Sequence, residues 1–121
     1  MLPKGAEYIG FAAGFEEQYS DETKQFFREF QKKREMMKYK VKLIANESAR
    51  EQVKKYHYYE RFGVPEYRFV PEFAPVGLII FGDSVLNVAF EEQPAAVIIT
   101  SRQIAESYKR FFYGMWRFAK V

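Results

Sequence analysis

The chain has 121 residues, of which 48% are hydrophobic and 29% are charged. This length and composition indicate one compact domain, 1–121, and exclude disorder and collagen. The sequence contains no cysteine, which excludes disulfides, thiolate metal sites and cysteine nucleophiles and favours the cytoplasm. No apolar run approaches the ~18 residues of a membrane span, and residues 1–5 lack a signal-peptide hydrophobic region. We therefore expect a soluble protein with no membrane partner.

The net charge is +3, too small to indicate nucleic-acid binding by itself, but the charges are unevenly distributed. Residues 32–61 sum to +6, whereas residues 66–92 sum to −4. Tyr56, Tyr58 and Tyr59 lie within the basic segment and would stack on bases if that segment bound a nucleic acid. Solvated helix ends explain the same charges more simply, because a helix C-terminus favours cations.

The N-terminal part of the chain alternates apolar runs with an amphipathic segment. Glu7–Ala13 is a short apolar run typical of a buried strand. From Asp21 the apolar side chains follow helical spacing as far as Met36, which predicts a first helix. Val41–Ala45 is rich in β-branched and aliphatic residues and predicts the second strand.

Signals for a second helix and a third strand follow. Ser48 and Glu51 have the spacing of a capping box and predict the start of the helix. Gly63 and Pro65 predict its end, because glycine adopts the left-handed C′ conformation and proline cannot extend a helix. Glu66–Val70 alternates polar and apolar residues, as expected of a strand with one solvated face.

The next segments predict a hairpin and a further strand. Leu78–Phe81 and Val85–Phe90 are β-rich runs joined by a loop that contains Gly82 and Asp83, both suited to the positive φ of tight hairpins. Ala95–Ile99 is short and apolar, which predicts the sixth strand.

A last helix is predicted at the C-terminus. Thr100 and Gln103 match the capping box. Trp116 is expected to be buried beside the sheet. The side chains expected to mark one face of this helix are Ile104, Tyr108, Phe111, Met115 and Phe118.

The predicted order is β-α-β-α-β-β-β-β-α, which places the protein in the α/β class. Helical crossovers between the first three strands favour parallel pairing, and the hairpin adds antiparallel pairing. We therefore expect a single domain with a mixed sheet of about six strands and with three helices. The helices should cover at least one face of the sheet.

Few residues suit catalysis or metal binding. His57 is the single histidine, and without cysteine it cannot build a closed zinc site. Gly10–Gly14 is not followed by the Lys-Ser/Thr pair of a phosphate-binding loop. The acidic pairs at 16–17 and 91–92 are sequence neighbours, which rarely converge on one substrate atom. We predict no catalytic residue, no metal and no cofactor, and we assign no ligand-binding residue.

Five segments carry a resemblance to a known family: Leu2–Tyr8, Leu43–Arg50, Gly82–Val85, Pro94–Ile99 and Ile104–Phe112 with Met115 and Trp116. They resemble the region that follows the DNA-binding segment in archaeal TrmB-type transcriptional regulators. In that family the region resembles half of a phospholipase-D-like α/β fold and serves dimerisation and effector sensing. The resemblance thus implies a phospholipase-D-like half fold for this chain.

The enzyme branch of that fold carries His-x-Lys, followed five residues after the lysine by Asp. If Asp83 is the aspartate of the motif, Val76 stands in the place of the histidine and Leu78 in that of the lysine. The nucleophile and the phosphate-binding cation are then both replaced, so the resemblance implies a domain that is not an enzyme.

Regulators of this family carry a winged helix-turn-helix ahead of this domain, and we expect none in residues 1–121. The chain would then be a stand-alone relic, a fragment, or the companion of a DNA-binding partner chain. The leading hypothesis is a non-catalytic ligand-sensing or dimerisation domain in transcription regulation. We expect a homodimer that pairs through the hairpin of strands 4 and 5 or through the last helix, with a small-molecule effector or a DNA-binding partner chain. The alternatives are a degenerate phospholipase-D-like phosphodiesterase and a nucleic-acid-binding module that uses the basic segment 32–61.

Overall fold

The structure is a computed structural model that describes residues 6–12, 40–56, 65–72, 74–75, 77–89 and 95–121, with the single residues Gln25, Lys32 and Met36. Within these residues the chain forms one six-stranded sheet. One α-helix packs on each face of the sheet.

The sheet is mixed, as expected. Its strands are β1 (Glu7–Phe11), β2 (Lys40–Asn46), β3 (Glu66–Val70), β4 (Leu78–Phe81), β5 (Ser84–Ala89) and β6 (Ala95–Thr100). Their order across the sheet is β3-β2-β1-β4-β5-β6. β1 pairs with β2, and β2 with β3, in parallel, whereas β4, β5 and β6 are added antiparallel. The α/β class and the six strands are therefore confirmed.

The described residues contain two α-helices, whereas three helices were expected. α1 spans Arg50–Tyr56 and follows a 3₁₀ turn at Glu47–Ala49, and α2 spans Arg102–Trp116. The first predicted helix lies largely outside the described residues, although the three single residues named above are helical. Gly63, where the second helix was predicted to end, also lies outside them.

Both predicted capping boxes are wrong. Ser48 lies in the 3₁₀ turn, where its N–H and its hydroxyl donate to the Glu72 carboxylate at 2.7 and 2.9 Å. Thr100 is the last residue of β6, so the N-cap of α2 moves one residue on to Ser101. The Ser101 hydroxyl accepts a hydrogen bond from the Ile104 N–H at 3.3 Å. Strand pairing and a long-range carboxylate thus decide the helix starts.

The larger core lies between the sheet and α2. Ile9, Ile80 and Val85 are successive cross-strand partners in β1, β4 and β5, so their side chains share one face. All three are at most 3% exposed. α2 covers this face with three buried side chains, Ala105, Phe112 and Trp116.

A smaller core lies on the opposite face, under α1. Val53 of α1 packs with Ala45 of β2 and Phe69 of β3. The Arg50 guanidinium lies 4.1 Å from the centroid of the Phe69 ring, which adds a cation–π contact at the rim of this cluster. α1 therefore covers the parallel end of the sheet, on the side away from α2.

Trp116 is buried beside the sheet, as expected, with 8% of its surface exposed. Its indole stacks on Phe112 with ring centroids 5.5 Å apart. The Arg68 guanidinium lies 4.3 Å from the indole centroid, and its Nη1 donates to the Trp116 carbonyl at 2.9 Å. Trp116 thus joins the C-terminal end of α2 to β3.

The apolar stripe expected to mark one face of α2 is largely an exposed flank of the helix. The exposed fractions are 39% for Ile104, 37% for Tyr108, 50% for Phe111 and 82% for Phe118. The buried stripe runs instead through Ala105, Phe112 and Trp116. Both stripes have helical spacing, so periodicity alone cannot distinguish them.

Two glycines allow close backbone approach. A Cβ on Gly10 would come within 3.0 Å of the Leu78 carbonyl oxygen, on the neighbouring strand β4. Gly77 has φ 75°, and a Cβ there would come as close to the Val88 carbonyl. Gly114 differs from both, because a Cβ on it would meet nothing within 4 Å.

We predict that Trp116→Ala lowers the free energy of unfolding by about 3 kcal/mol or more, because it removes a large buried ring and leaves a cavity. Urea denaturation followed by circular dichroism measures this loss. Phe118→Ala is the matched control: Phe118 is 82% exposed, so its truncation should change stability by at most about 0.5 kcal/mol. Equal effects of the two substitutions would contradict the packing described here.

Gly77→Ala and Gly114→Ala should shift stability in opposite directions. At Gly77 the positive φ and the carbonyl of Val88 oppose a side chain, and we expect a loss of about 2 kcal/mol or more. At Gly114 alanine has the better helix propensity and meets no atom, so we expect a gain of up to about 1 kcal/mol. The same denaturation series compares both variants with the parent.

Candidate interaction surface

β6 forms one edge of the sheet and carries an apolar, charge-free sequence. Its central side chains are substantially exposed, at 59% for Val97, 60% for Ile98 and 40% for Ile99. These residues alternate between the two faces of the strand, so aliphatic side chains are exposed on both faces. Six residues of β6 pair with β5 without a break in register.

The exposed flank of α2 continues this apolar surface. In the strand register Ile99 is the partner of Val85, which is buried in the same cluster as Ala105 and Phe112 of α2. Ile99 therefore lies on the face that carries α2. We call the exposed residues of β6 and α2 together the β6–α2 surface; they are Val97, Ile98, Ile99, Ile104, Tyr108 and Phe111.

The opposite edge of the sheet, β3, is covered by the chain's own C-terminus. The Phe69 N–H donates to the Lys120 carbonyl at 2.7 Å, and the Lys120 N–H donates to the Phe69 carbonyl at 2.8 Å. This single antiparallel bridge occupies the outward backbone groups of Phe69. Within the described part of the chain, no segment covers β6 in the same way.

The positions suggested by the phospholipase-D-like motif do not form a polar site. Leu78, in the place of the lysine, is 6% exposed and belongs to the core under α2. Asp83 is an exposed residue of the β4–β5 turn, where its backbone carbonyl accepts the Ser101 N–H at 2.9 Å. Gly82 has φ 55° and so supplies the positive φ of this turn. Val76 lies outside the described residues.

Parts of the basic segment 32–61 are described, and two of its cations have partners. The Lys42 ammonium lies 3.5 Å from the Glu7 carboxylate. Arg50 bonds Glu47 through Nη2 at 3.0 Å, besides its contact with Phe69. The Glu47–Arg50 hydrogen bond lowers the pKa of the Glu47 carboxyl and raises that of the guanidinium. His57 and the acidic pairs lie outside the described residues.

A polar cluster flanks α2 at the start of β1. The Tyr113 hydroxyl donates to the Glu7 carboxylate, and the Lys42 ammonium lies 5.6 Å from the centroid of the Tyr113 ring. Burial, then the hydrogen bond to Glu7 and its negative charge, raise the pKa of Tyr113 to about 12. The cluster joins α2 to β1 and β2.

The described residues contain no group of three or more histidine, cysteine or acidic side chains placed to hold a metal ion. No helix among them is long and apolar enough to cross a membrane.

Sequence reasoning named the last helix as a candidate interaction surface but missed β6, naming the hairpin of strands 4 and 5 in its place. β6 was predicted as an apolar strand, but its position at the edge depends on the strand order. One signal was available: Ala95–Thr100 contains no charged residue, and the helix after it has two adjacent apolar stripes. One apolar stripe is enough to pack on a sheet face, so the second stripe indicates an additional apolar surface.

Among solved structures, the fold is similar to that of TrmBL2, described as an archaeal chromatin protein whose structure shows a novel mode of DNA binding. The match covers 97% of this chain, with a TM-score of 0.61 and 16% sequence identity. The chain spans only 46% of TrmBL2. No family model and no curated protein matches the sequence. The likeness establishes the fold.

Tyr113→Phe should reduce the loss of stability at high pH. The pKa of Tyr113 is raised to about 12 in the folded protein, above its ordinary value near 10, so folding favours the protonated phenol. This stabilisation is fully present below about pH 10 and is lost as the pH rises towards 12. Urea denaturation from pH 9 to 12 should therefore show a steeper decline in the parent than in the variant; parallel declines would contradict the assignment.

Proposed function

We propose that this chain is a non-catalytic dimerisation or ligand-sensing domain related to TrmB-type transcriptional regulators, with a phospholipase-D-like half fold. The observation that carries the proposal is the exposed, charge-free β6–α2 surface. A monomer gains nothing from exposing these apolar side chains, which lie on both faces of β6 and along α2, and exposed apolar surface marks interaction sites. The likeness of fold to TrmBL2 supports the transcriptional context.

Chemistry argues for a domain without catalysis. A phosphodiester transition state needs a nucleophile and cations near its non-bridging oxygens. Leu78 is buried in the core, and the strand β4 around it carries only apolar side chains. Asp83 by itself would repel an anionic substrate. These features support a structural role for residues that resemble the catalytic motif.

The wider context of the proposal is DNA. TrmBL2 is described as a DNA-binding chromatin protein, but this chain spans less than half of it. We place the chain beside a DNA-binding part, in the same polypeptide or in a partner chain, in the cytoplasm. A small-molecule effector belongs to the ligand-sensing form of the proposal, and no described residue is assigned to hold it.

Sedimentation equilibrium tests the proposal. The expected species at micromolar concentration has about twice the 14.4 kDa mass of the chain, because burial of the β6–α2 surface favours association. A species of monomer mass at every concentration up to several hundred micromolar would overturn the dimerisation function.

Asp83→Asn tests the non-catalytic reading. Its stability should stay within about 0.5 kcal/mol of the parent, because the Asp83 backbone carbonyl, not the carboxylate, holds Ser101. Gly82→Ala, the contrasting variant of the same turn, should lose about 1 kcal/mol through its positive φ. A chromogenic phosphodiester assay should show no turnover in the parent; turnover that Asp83→Asn abolishes would show an enzyme instead.

A further inference from the structure

The backbone of β6 presents a regular set of hydrogen-bonding groups on the side that points away from β5. The Ser101 N–H donates to the Asp83 carbonyl, on the β5 side, at 2.9 Å. On the other side of β5, the Val88 N–H donates to the Gly77 carbonyl at 2.8 Å. Bonding alternates along antiparallel strands, so the odd-numbered residues of β6 bond β5. The N–H and C=O groups that point outward belong to Ala96, Ile98 and Thr100.

Among the described residues, this edge lacks the features that protect sheet edges from pairing. Natural edge strands are blunted by lysine, proline, bulges or a covering segment. β6 has the sequence Ala-Ala-Val-Ile-Ile-Thr, and its register with β5 contains no bulge. The β3 edge, by contrast, is covered by Lys120. The two edges of the sheet thus differ: β3 is bridged by Lys120, whereas the outward backbone groups of β6 are suited to pairing with another strand.

We propose that a second copy of this chain pairs with β6, antiparallel, about a two-fold axis that passes between the two Ile98 residues. The inference rests on the proposed dimerisation function and identifies its surface and register. In this register Ile98 pairs with Ile98 of the second copy, and Ala96 pairs with Thr100. The two sheets become one continuous sheet of twelve strands.

The backbone selects this register. Outward groups must meet outward groups, so even-numbered residues pair only with even-numbered residues. Centring the axis on Ile98 engages all three outward residues of each strand in about six hydrogen bonds. Centring the axis on Val97 or Ile99 engages only two outward residues of each strand, in about four hydrogen bonds.

The side chains favour a second copy over a charged partner. β6 carries no charge, so the two-fold axis brings no like charges together. The axis stands perpendicular to the sheet, and both α2 helices therefore lie on the same face. Val97 and Ile99 of each strand then pair on that face beside the exposed flanks of α2, where Ile104 and Tyr108 lie. One surface thereby covers both exposed apolar features.

Two substitutions at Ile98 test the edge. Ile98→Pro removes only an outward N–H, which leaves the pairing with β5 intact, as prolines of edge strands do. Ile98→Lys places two ammonium groups at the axis. Sedimentation equilibrium should show at least a tenfold rise in the dimer dissociation constant for both variants. Phe118→Lys makes the same charge change at an 82% exposed residue away from β6 and should leave the constant unchanged.

Single cysteines test the register, because the chain contains no natural cysteine. Facing Cα atoms in a hydrogen-bonded pair lie about 5.5 Å apart, within the range of a disulfide. Ile98→Cys should therefore cross-link to itself under mild oxidation. Ala96→Cys should not, since its copies lie about 13 Å apart along the strands. The double variant with Ala96→Cys and Thr100→Cys should cross-link again.

The outcomes separate this inference from the proposed function. A parent dimer that both Ile98 variants weaken, with cross-linking at Ile98 and not at Ala96, supports the edge pairing. A parent dimer unaffected by either variant would keep the dimerisation function and overturn the β6 surface. Cross-linking of Ala96→Cys alone would overturn the register. A monomeric parent would overturn both, and circular dichroism shows that each variant is folded.

Discussion

The pairing of β1 with β4 is the contact on which the rest of the sheet depends. β1 is the edge of the parallel block β1–β3, and β4 begins the antiparallel block β4–β6. At this seam Gly10 faces Ile79, and the absence of a Cβ lets the Leu78 carbonyl approach the β1 backbone. On the α2 side of the seam, Phe11 and Ile80 are almost fully buried. The two blocks therefore share one core.

α2 extends that core across both blocks, and its course leads to the covering of the β3 edge. Phe112 packs edge-on to Phe11 of β1, and Trp116 stacks beneath Arg68 of β3. The chain that follows α2 therefore reaches β3, where Lys120 bonds the outward backbone N–H and C=O of Phe69. No segment of the described residues covers the β6 edge in this way.

Burial also accounts for the leucine in the place of the motif lysine. Position 78 lies under α2 at the seam, where a lysine would lose its hydration without a partner. A leucine there fills the core instead. Polar groups gather away from this position: Glu7, Lys42 and Tyr113 satisfy one another at the start of β1. The packing is therefore consistent with the proposed interaction through an apolar surface.

The sequence by itself determined the elements: the six strands lie within two residues of their predicted bounds, and the class and the mixed sheet follow from local period and connection length. Strand order, helix caps and the exposed flank of α2 were decided only by tertiary contacts. Ser48 bonds the distant Glu72. Phe111 and Phe112 both contact Phe11, yet Phe112 is fully buried and Phe111 is 50% exposed. The local sequence pattern shows which residues are apolar, whereas pairing across the sheet decides which of these side chains are buried.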